Sequence, residues 1–463
     1  MLETEHLVFA LGSHNWQQSS QFTTGSAIVH ELQHRALNDL PGVKCYSLWP
    51  SNVLKSPVDR DDYRVVELNH PVPICEGVHP QSSLRFHSLS TDQFSSYMDL
   101  LVSKSAEYIN YIEEKHGRPV EFMMAHHVFN NAVVLTEVNK RRELEGRKRV
   151  PLFVFAHGTG LLLYLNELQQ NPDFPIRFYP WIREEVELFE NNELVQGVFM
   201  TKLQESKFSQ LFPNFPTKKI KVVNLGYDQS IFRKIDTSEG RNKLASNWNK
   251  VLYENCDSSN FPAMIGDKKG LPNLESFEHI VAFCGKLDEI KRLEVLLNAS
   301  KLWENEGRSI VTLIAGGAMK ESVKTYVDMA YEDLRLQNTY FLGPMGQLEL
   351  AKLFNITDVL VLPSKSESFG MVLIEALACG ASVIGMESWA PFDFHKENVG
   401  VMLKDGENTD EIARTLHDAV AKSVHEKGDI NRRDHCALFA LNNFSNAQKV
   451  KELLETMKKW ELY

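Results

Sequence analysis

The stretch PSKSESFGMVLIEALACGASVIG, Pro363 to Gly385, sets one carboxylate just before a glycine and a second inside an apolar run. It reads as strand, loop and helix: DVLVLP ends the strand, SKSESF makes the loop, and the helix starts near Gly370. Backbone N–H groups of Gly370, Met371 and Val372 at that helix start form an anion site suited to a diphosphate. Glu367 at the rim then accepts hydrogen bonds from sugar hydroxyls, and Glu375, about a turn and a half into the helix, reaches a ribose diol. Taken alone, the same residues also fit a solvated loop glutamate and a helix charge at the edge of a core.

A second stretch, VAFCGKLDEIKRLEVLLNA, Val281 to Ala299, repeats the strand, glycine turn and helix. Lys286 falls just past the strand and Lys291 at the next helix's start. Two ammonium groups near a strand's carboxyl end neutralise the charge that gathers on a departing diphosphate. Arg292, beside Lys291, is expected to face solvent. This stretch precedes the glutamate pair in the same half of the chain, the order one phosphate crevice needs.

Such residues need parallel sheets to hold them. Short β-branched runs alternate with amphipathic stretches along the whole chain. The first half offers HLVFAL, VKCYSL, FMMAH, LFVFAH, GVFMT and IKVVNLG as strands; the second offers IVAFCG, IVTLIAGG, TYFLG, DVLVLP and SVIG. With 463 residues, two domains are expected. They are an N-terminal domain over 1–233, a linker with an insertion over 234–279 and a C-terminal domain over 280–436. A final helix over 437–463, about Ala437 to Trp460, needs a surface to cover, either that of its own domain or, by crossing back, that of the first. Each domain is a doubly wound α/β sheet with its ligands at the carboxyl ends of the strands. The segment Asn52 to Ser83 reads as a Pro-rich loop region.

Hydrophobic content of 43% and charged content of 24% are those of a globular protein, and the formal charge of −11 argues against nucleic acid or an anionic membrane as main partner. The six cysteines are scattered with no Cys-x-x-Cys pair, which reads as reduced thiols in a cytoplasmic protein. No run is long enough to span a bilayer. The basic run NKRRELEGRKRV, Asn139 to Val150, reads as a solvated helix end, with docking to anionic headgroups as the competing possibility.

These residues resemble the retaining glycosyltransferases of family four, which use nucleotide sugars and have two Rossmann-like domains facing a cleft, the GT-B fold. ESFGMVLIEALACG fits the family's Glu, seven residues, Glu hallmark; GKLDEIK is similar to its phosphate motif; LIAGG and FLGPMGQLELAKLFNITDVLVLPS follow in order. KIKVVNLGYDQSIFRK resembles the end of an acceptor domain. The resemblance implies that Glu367 contacts donor-sugar hydroxyls, that Glu375 holds the ribose, and that Lys286 and Lys291 stabilise the leaving diphosphate. It implies that Gly285 and the start of the helix at Phe369, Gly370, Met371 and Val372 line the donor site, and that the backbone of Leu342, Gly343, Pro344 and Met345 faces the base. His157, in FVFAHGTG, matches the histidine near the reacting sugar. His126, in MMAHHVF, is an acceptor-side candidate, with His127 beside it able to take the same role. The family's N-terminal glycine pair is replaced here by FTTGSAIVHEL, leaving Gly25 as its equivalent.

The activity implied is transfer of a sugar from a nucleoside diphosphate sugar, by default a UDP-sugar, to an acceptor hydroxyl. It proceeds with retention by front-face attack, with no metal ion and no cofactor; DRDD near Asp59 reads as a turn rather than a metal-bridging triplet. A nucleotide-sugar epimerase or hydrolase of the same fold is the alternative within that architecture. A non-catalytic nucleotide-sugar-binding protein is the alternative outside catalysis.

Overall fold

The computed structural model of the chain describes residues 6–13, 25–52, 61–73, 86–157, 195–235, 273–317, 320–367, 369–389, 394–424 and 430–460, and between them 84, 161, 184, 187–191 and 193. Contacts divide it into two compact units, Met1–Gly226 with Asn446–Tyr463, and Tyr227–Ser445. Most of the linker insertion, the stretch before Gly25 and much of Asn52 to Ser83 lie outside the described residues.

The first unit is built on seven parallel strands: β1 (His6–Leu11), β2 (Val43–Ser51), β3 (Tyr63–Glu67), β4 (Phe122–His126), β5 (Leu152–Phe155), β6 (Val195–Met200) and β7 (Ile220–Val222). Their order is β3-β2-β1-β4-β5-β6-β7. The connections reverse direction between β1 and β4, which are hydrogen-bonded neighbours. Among the described residues the helices α1 (Gly25–Asp39), α2 (Thr91–His116), α3 (Asn131–Leu144) and α4 (Lys202–Leu211) accompany the sheet. α2 begins where Ser90 and Gln93 exchange side-chain and backbone hydrogen bonds, 3.2 and 2.9 Å, satisfying two otherwise orphaned donors.

The second unit has six parallel strands: β8 (His279–Cys284), β9 (Ile310–Ala315), β10 (Thr339–Gly343), β11 (Val359–Val361), β12 (Ser382–Met386) and β13 (Gly400–Leu403). The order β10-β9-β8-β11-β12-β13 puts its reversal between β8 and β11. Its helices among the described residues are α5 (Leu293–Asn305), α6 (Lys320–Asp328), α7 (Gln347–Ile356), α8 (Met371–Ala378), α9 (Thr409–Val424) and α10 (Ile430–Phe444). The strands β9, β10, β11 and β12 are buried along their whole length, as apolar strands covered on both faces must be.

Three expectations are corrected. YRVVE and GVML are strands, β3 and β13, each at the edge of its sheet. Their burial alternates or lapses mid-strand, so neither shows the continuous apolar run of a central parallel strand. The final helix is two helices. α10 ends at Phe444, Ser445 pairs with Tyr227 as an isolated parallel bridge, and α11 (Asn446–Trp460) starts afresh. Tyr227 N donates to Phe444 O at 3.0 Å, so a strand-like contact interrupts the helical ladder. α11 lays Val450, Leu453, Leu454 and Met457, one face at helical spacing, into the first unit's core beside Val8, Phe122 and Phe153. Trp460 meets Phe153 and Phe199 edge-on at 6.0 and 5.9 Å.

Candidate active site

In an open parallel sheet, ligands bind outside the carboxyl ends of the strands where the order reverses. In the second unit that point lies beyond Cys284 and Val361. Gly285 N donates to Ala315 O at 3.1 Å and Leu287 N to Gly317 O at 3.2 Å, stitching the β8 loop to the β9 loop. The Asp288 carboxylate accepts from Lys291 N at 3.2 Å and so caps the short turn Glu289–Lys291. From that turn Lys291 Nζ donates to Glu367 Oε1. Glu367 also accepts from Ser364 Oγ at 2.7 Å, and Lys365 N donates to Ile290 O at 2.7 Å. A cation from the β8 loop and an anion from the β11 loop therefore meet directly, both largely shielded from solvent at 19% and 12% exposure. Lys286 is exposed one residue past Gly285.

Arg292 does not face solvent. It is 4% exposed, its Nε donates to Pro363 O at 2.8 Å and its Nη1 to Gly406 O at 3.0 Å. Its backbone takes the left-handed conformation, φ 48°, which an arginine adopts at a cost that these bonds offset. The residue pins three loops of the carboxyl edge together, and its neighbour Lys291 inherits a fixed position. A charged residue in a turn gave no sign of this burial.

Gly370 precedes α8 with φ 73°, and a Cβ there would lie 2.7 Å from the Trp389 ring. Both facts demand glycine. Trp389 Nε1 donates to Ser364 O at 2.7 Å, so this ring supports the glycine and the Glu367 loop together. Phe369 is buried against Phe444, ring centroids 6.0 Å apart, while Met371 and Val372 are half-buried at the first turn of α8. The opening amides of a helix have no partner within it and carry its positive end. Glu375 is buried one turn on. Burial, reinforced by the nearby Asp228 carboxylate, pushes its carboxyl up to about 8. Cys284 feels both Glu375 and Lys291, with burial first and then Glu375 pushing its thiol up to about 12. Lys291, Glu367, Cys284 and Glu375 thus share the carboxyl edge of β8 and β11. Leu342 and Gly343 end β10 on the same edge, where Gly316 N donates to Gly343 O at 2.8 Å; Pro344 is exposed and Met345 half-buried.

In the first unit, β4 ends at His126 and β5 two residues short of His157. His126 Nδ1 lies 3.1 Å from His157 Nε2, and the His127 ring centroid is 4.7 Å from that of His157. Asn131 Nδ2 donates to His126 O and Ser13 Oγ, both at 2.8 Å, joining the ends of β4 and β1. His127 and Asn130 have φ of 83° and 63°, backbone strain concentrated at the reversal point. Two further histidines, His30 and His34, stand i and i+4 on α1 and are buried in the same region. Their spacing was the available signal. Gly25 opens α1 with nothing within 4 Å of a Cβ, whereas a Cβ on Gly12, just past β1, would meet His30 Nδ1 at 2.2 Å.

Among the described residues no group of three or more His, Cys, Asp or Glu is placed to hold a metal ion, and no helix is long and apolar enough to cross a membrane. The basic run is largely paired. Arg142 makes two bonds to Glu113, 3.1 and 2.9 Å, Arg147 joins the same carboxylate, and Arg149 pairs with Glu143 at 2.5 Å.

Residues 268–435 match the family model described as glycosyl transferases group 1. The match lies wholly within the second unit, Tyr227–Ser445. A D-inositol 3-phosphate glycosyltransferase of Mycobacterium ulcerans is 25% identical over 236 residues, covering 50% of this chain and 44% of that protein. The chain thus spans less than half the length of the curated relatives it matches first. A sucrose-phosphate synthase from Thermosynechococcus elongatus superposes with a TM-score of 0.64 at 16% identity, covering 98% of this chain and 100% of that one. The Anabaena protein HepE, solved with UDP and glucose, gives 0.60 at 14% identity, covering 98% and 100%. Likeness of this kind establishes the architecture, and the chain has the GT-B fold.

Proposed function

We propose that this protein is a retaining glycosyltransferase that moves a sugar from a nucleoside diphosphate donor, first of all a UDP-sugar, to an acceptor hydroxyl in the cytoplasm. The observation that carries the reading is the Lys291–Glu367 pair, held by Asp288, Ser364 and Arg292 at the mouth of the β8–β11 reversal. In this pair each charge compensates the other. With donor bound, the Lys291 ammonium, Lys286 and the amides opening α8 take up the charge that develops on the leaving phosphate. Glu367, released from Lys291, accepts from the sugar's hydroxyls. Glu375 holds the ribose.

Attack comes from the face the leaving group departs, and the departing phosphate oxygen takes the acceptor's proton. The new glycosidic bond forms as the anomeric bond to phosphate breaks, so configuration is kept. Glu367 and Glu375 are not a glycosidase pair, because one serves hydroxyls and the other the ribose. No metal is needed where two ammonium groups and a helix start do its work.

The test is a set of UDP-, ADP- and GDP-sugars offered with candidate acceptors, D-inositol 3-phosphate among them, with release of free nucleoside diphosphate as readout in the presence of a chelator. Lys291→Ala is expected to lower kcat by about 10²–10³, the range for losing one preorganised stabiliser of developing charge. Full turnover by that variant refutes the reading.

A further inference from the structure

Five histidines of the first unit, His30, His34, His126, His127 and His157, pack into one region, and hydrogen bonds link four of them to their neighbours. The outer end is Asp62. Its carboxylate only accepts, so His34 Nε2, 3.4 Å away, carries the proton. Asn38, which also approaches His34 Nε2, gives its two N–H bonds to His34 O and Cys45 O at 3.1 and 3.0 Å, leaving that nitrogen to Asp62. In a neutral His34, Nδ1 then accepts from Ser47 Oγ at 2.9 Å, and Ser47 Oγ in turn accepts from His30 Nε2 at 3.1 Å. The His30 ring lies against that of His126, centroids 4.4 Å apart.

His126 is the inner member. It is 1% exposed, its ring stacks on Phe155 at 5.2 Å, and its Nε2 has no hydrogen-bond partner among the described residues. A buried N–H without a partner is rarer and costlier than a buried lone pair without one. The His126 proton therefore belongs on Nδ1, which faces His157 Nε2 at 3.1 Å. That nitrogen of His157 accepts, and the proton of a neutral His157 sits on Nδ1.

We propose that His126 is a positioning residue that fixes His157 as its Nδ1–H tautomer, so that at the carboxyl edge of the first unit's sheet His157 offers a ligand oxygen a hydrogen-bond donor rather than a general base. Burial, and then the neighbouring histidines, hold His30, His126 and His127 well below the ordinary histidine range, which keeps those three rings uncharged. The role toward a ligand rests on the proposed transfer reaction; the tautomer itself does not.

The test needs no donor. The full chain is labelled with ¹⁵N-histidine, and the ring nitrogens are assigned by single-residue variants at neutral pH. The expected result is a protonated Nδ1 and an unprotonated Nε2 at His157, with the same pattern at His126 and the opposite one at His30 and His34. His126→Phe keeps a ring against Phe155 and His30 but removes the donor, and is expected to change the His157 tautomer. His126→Asn returns an N–H near the position of Nδ1 and is expected to restore it, which a purely structural role does not predict. A His157 protonated on Nε2 in the wild-type chain, or unaltered in His126→Phe, overturns the proposal. The wild-type spectrum decides the matter if either variant fails to fold. Loss of the proposed activity with the tautomer intact counts against the reaction and not against the histidine arrangement.

Discussion

Glu375 offers a prediction whose size follows from its surroundings. Only 8% of it is exposed, and burial with the Asp228 carboxylate nearby moves its carboxyl from an ordinary 4.5 to about 8. In the empty protein at neutral pH it therefore carries a proton. A ribose diol offers two O–H donors, and an ionised carboxylate accepts both in charge-assisted bonds, whereas the protonated acid must spend one oxygen as a donor. Donor affinity then scales with the ionised fraction, which rises from about 1% at pH 6 to about half at pH 8. Affinity for UDP-glucose is expected to climb with pH by up to about fiftyfold over that span. The diphosphate of the donor stays fully ionised throughout and adds no slope. The Cys284 thiol, pushed up to about 12, stays neutral as well.

Titration calorimetry with UDP-glucose at pH 6, 7 and 8 and constant ionic strength measures the slope. Glu375→Gln, which neither titrates nor accepts twice, should bind more weakly at pH 8 and show a flat profile. A flat wild-type profile, or an equal slope in the variant, refutes the reasoning. Stability gives an independent check with a fixed sign. The folded state keeps a proton that the unfolded chain has lost above 4.5, so this carboxyl favours folding at low pH and that support disappears as pH rises to about 8. The ceiling on the loss is about 5 kcal/mol. Glu375→Gln should match the wild type near pH 4 and exceed it at pH 8 in urea unfolding.

Other substitutions test the scaffold. Arg292→Met removes the bonds to Pro363 O and Gly406 O while keeping the strained backbone, and should lower unfolding free energy by about 2–4 kcal/mol and weaken nucleotide binding. Gly370→Ala forces a Cβ toward Trp389 in a left-handed residue. A loss of about 1–3 kcal/mol is expected from strain, with the Glu367 loop displaced. Trp460→Ala empties the contact with Phe153 and Phe199 and should cost about 2–3 kcal/mol, read from urea unfolding of the full chain.

How far the sequence revealed this molecule depends on how local each signal is. Central parallel strands declare themselves because burial on both faces demands uninterrupted apolar runs, as in HIVAFC and IVTLIA. The edge strands YRVVE and GVML carry mixed patterns because one side is less covered, and they escaped notice. The break at Ser445 escaped for another reason. FALNNFSNAQKV keeps helical spacing across it, and the interruption comes from Tyr227, more than two hundred residues earlier in the chain. Burial of Arg292 was equally invisible. Its partners are two backbone carbonyls, Pro363 O and Gly406 O, which any residue would supply.

The two candidate sites differ in the same way. In the second unit the chemistry comes from two strand-turn-helix segments, each contiguous, so glycine, lysine and glutamate spacing exposes most of the site. In the first unit it comes from α1, β2, the turn before β3, β4 and the end of β5, each giving one or two polar residues to a shared interior. No window of sequence contains that set. His30 and His34 look like ordinary helix residues until Ser47 lies between them, and Ser47 like an ordinary strand residue until Asp62 fixes which nitrogen is protonated. A site whose parts are dispersed is specified by fold and proton placement together, so substitutions as mild as Ser47→Ala should alter ring tautomers while leaving the backbone of the sheet in place.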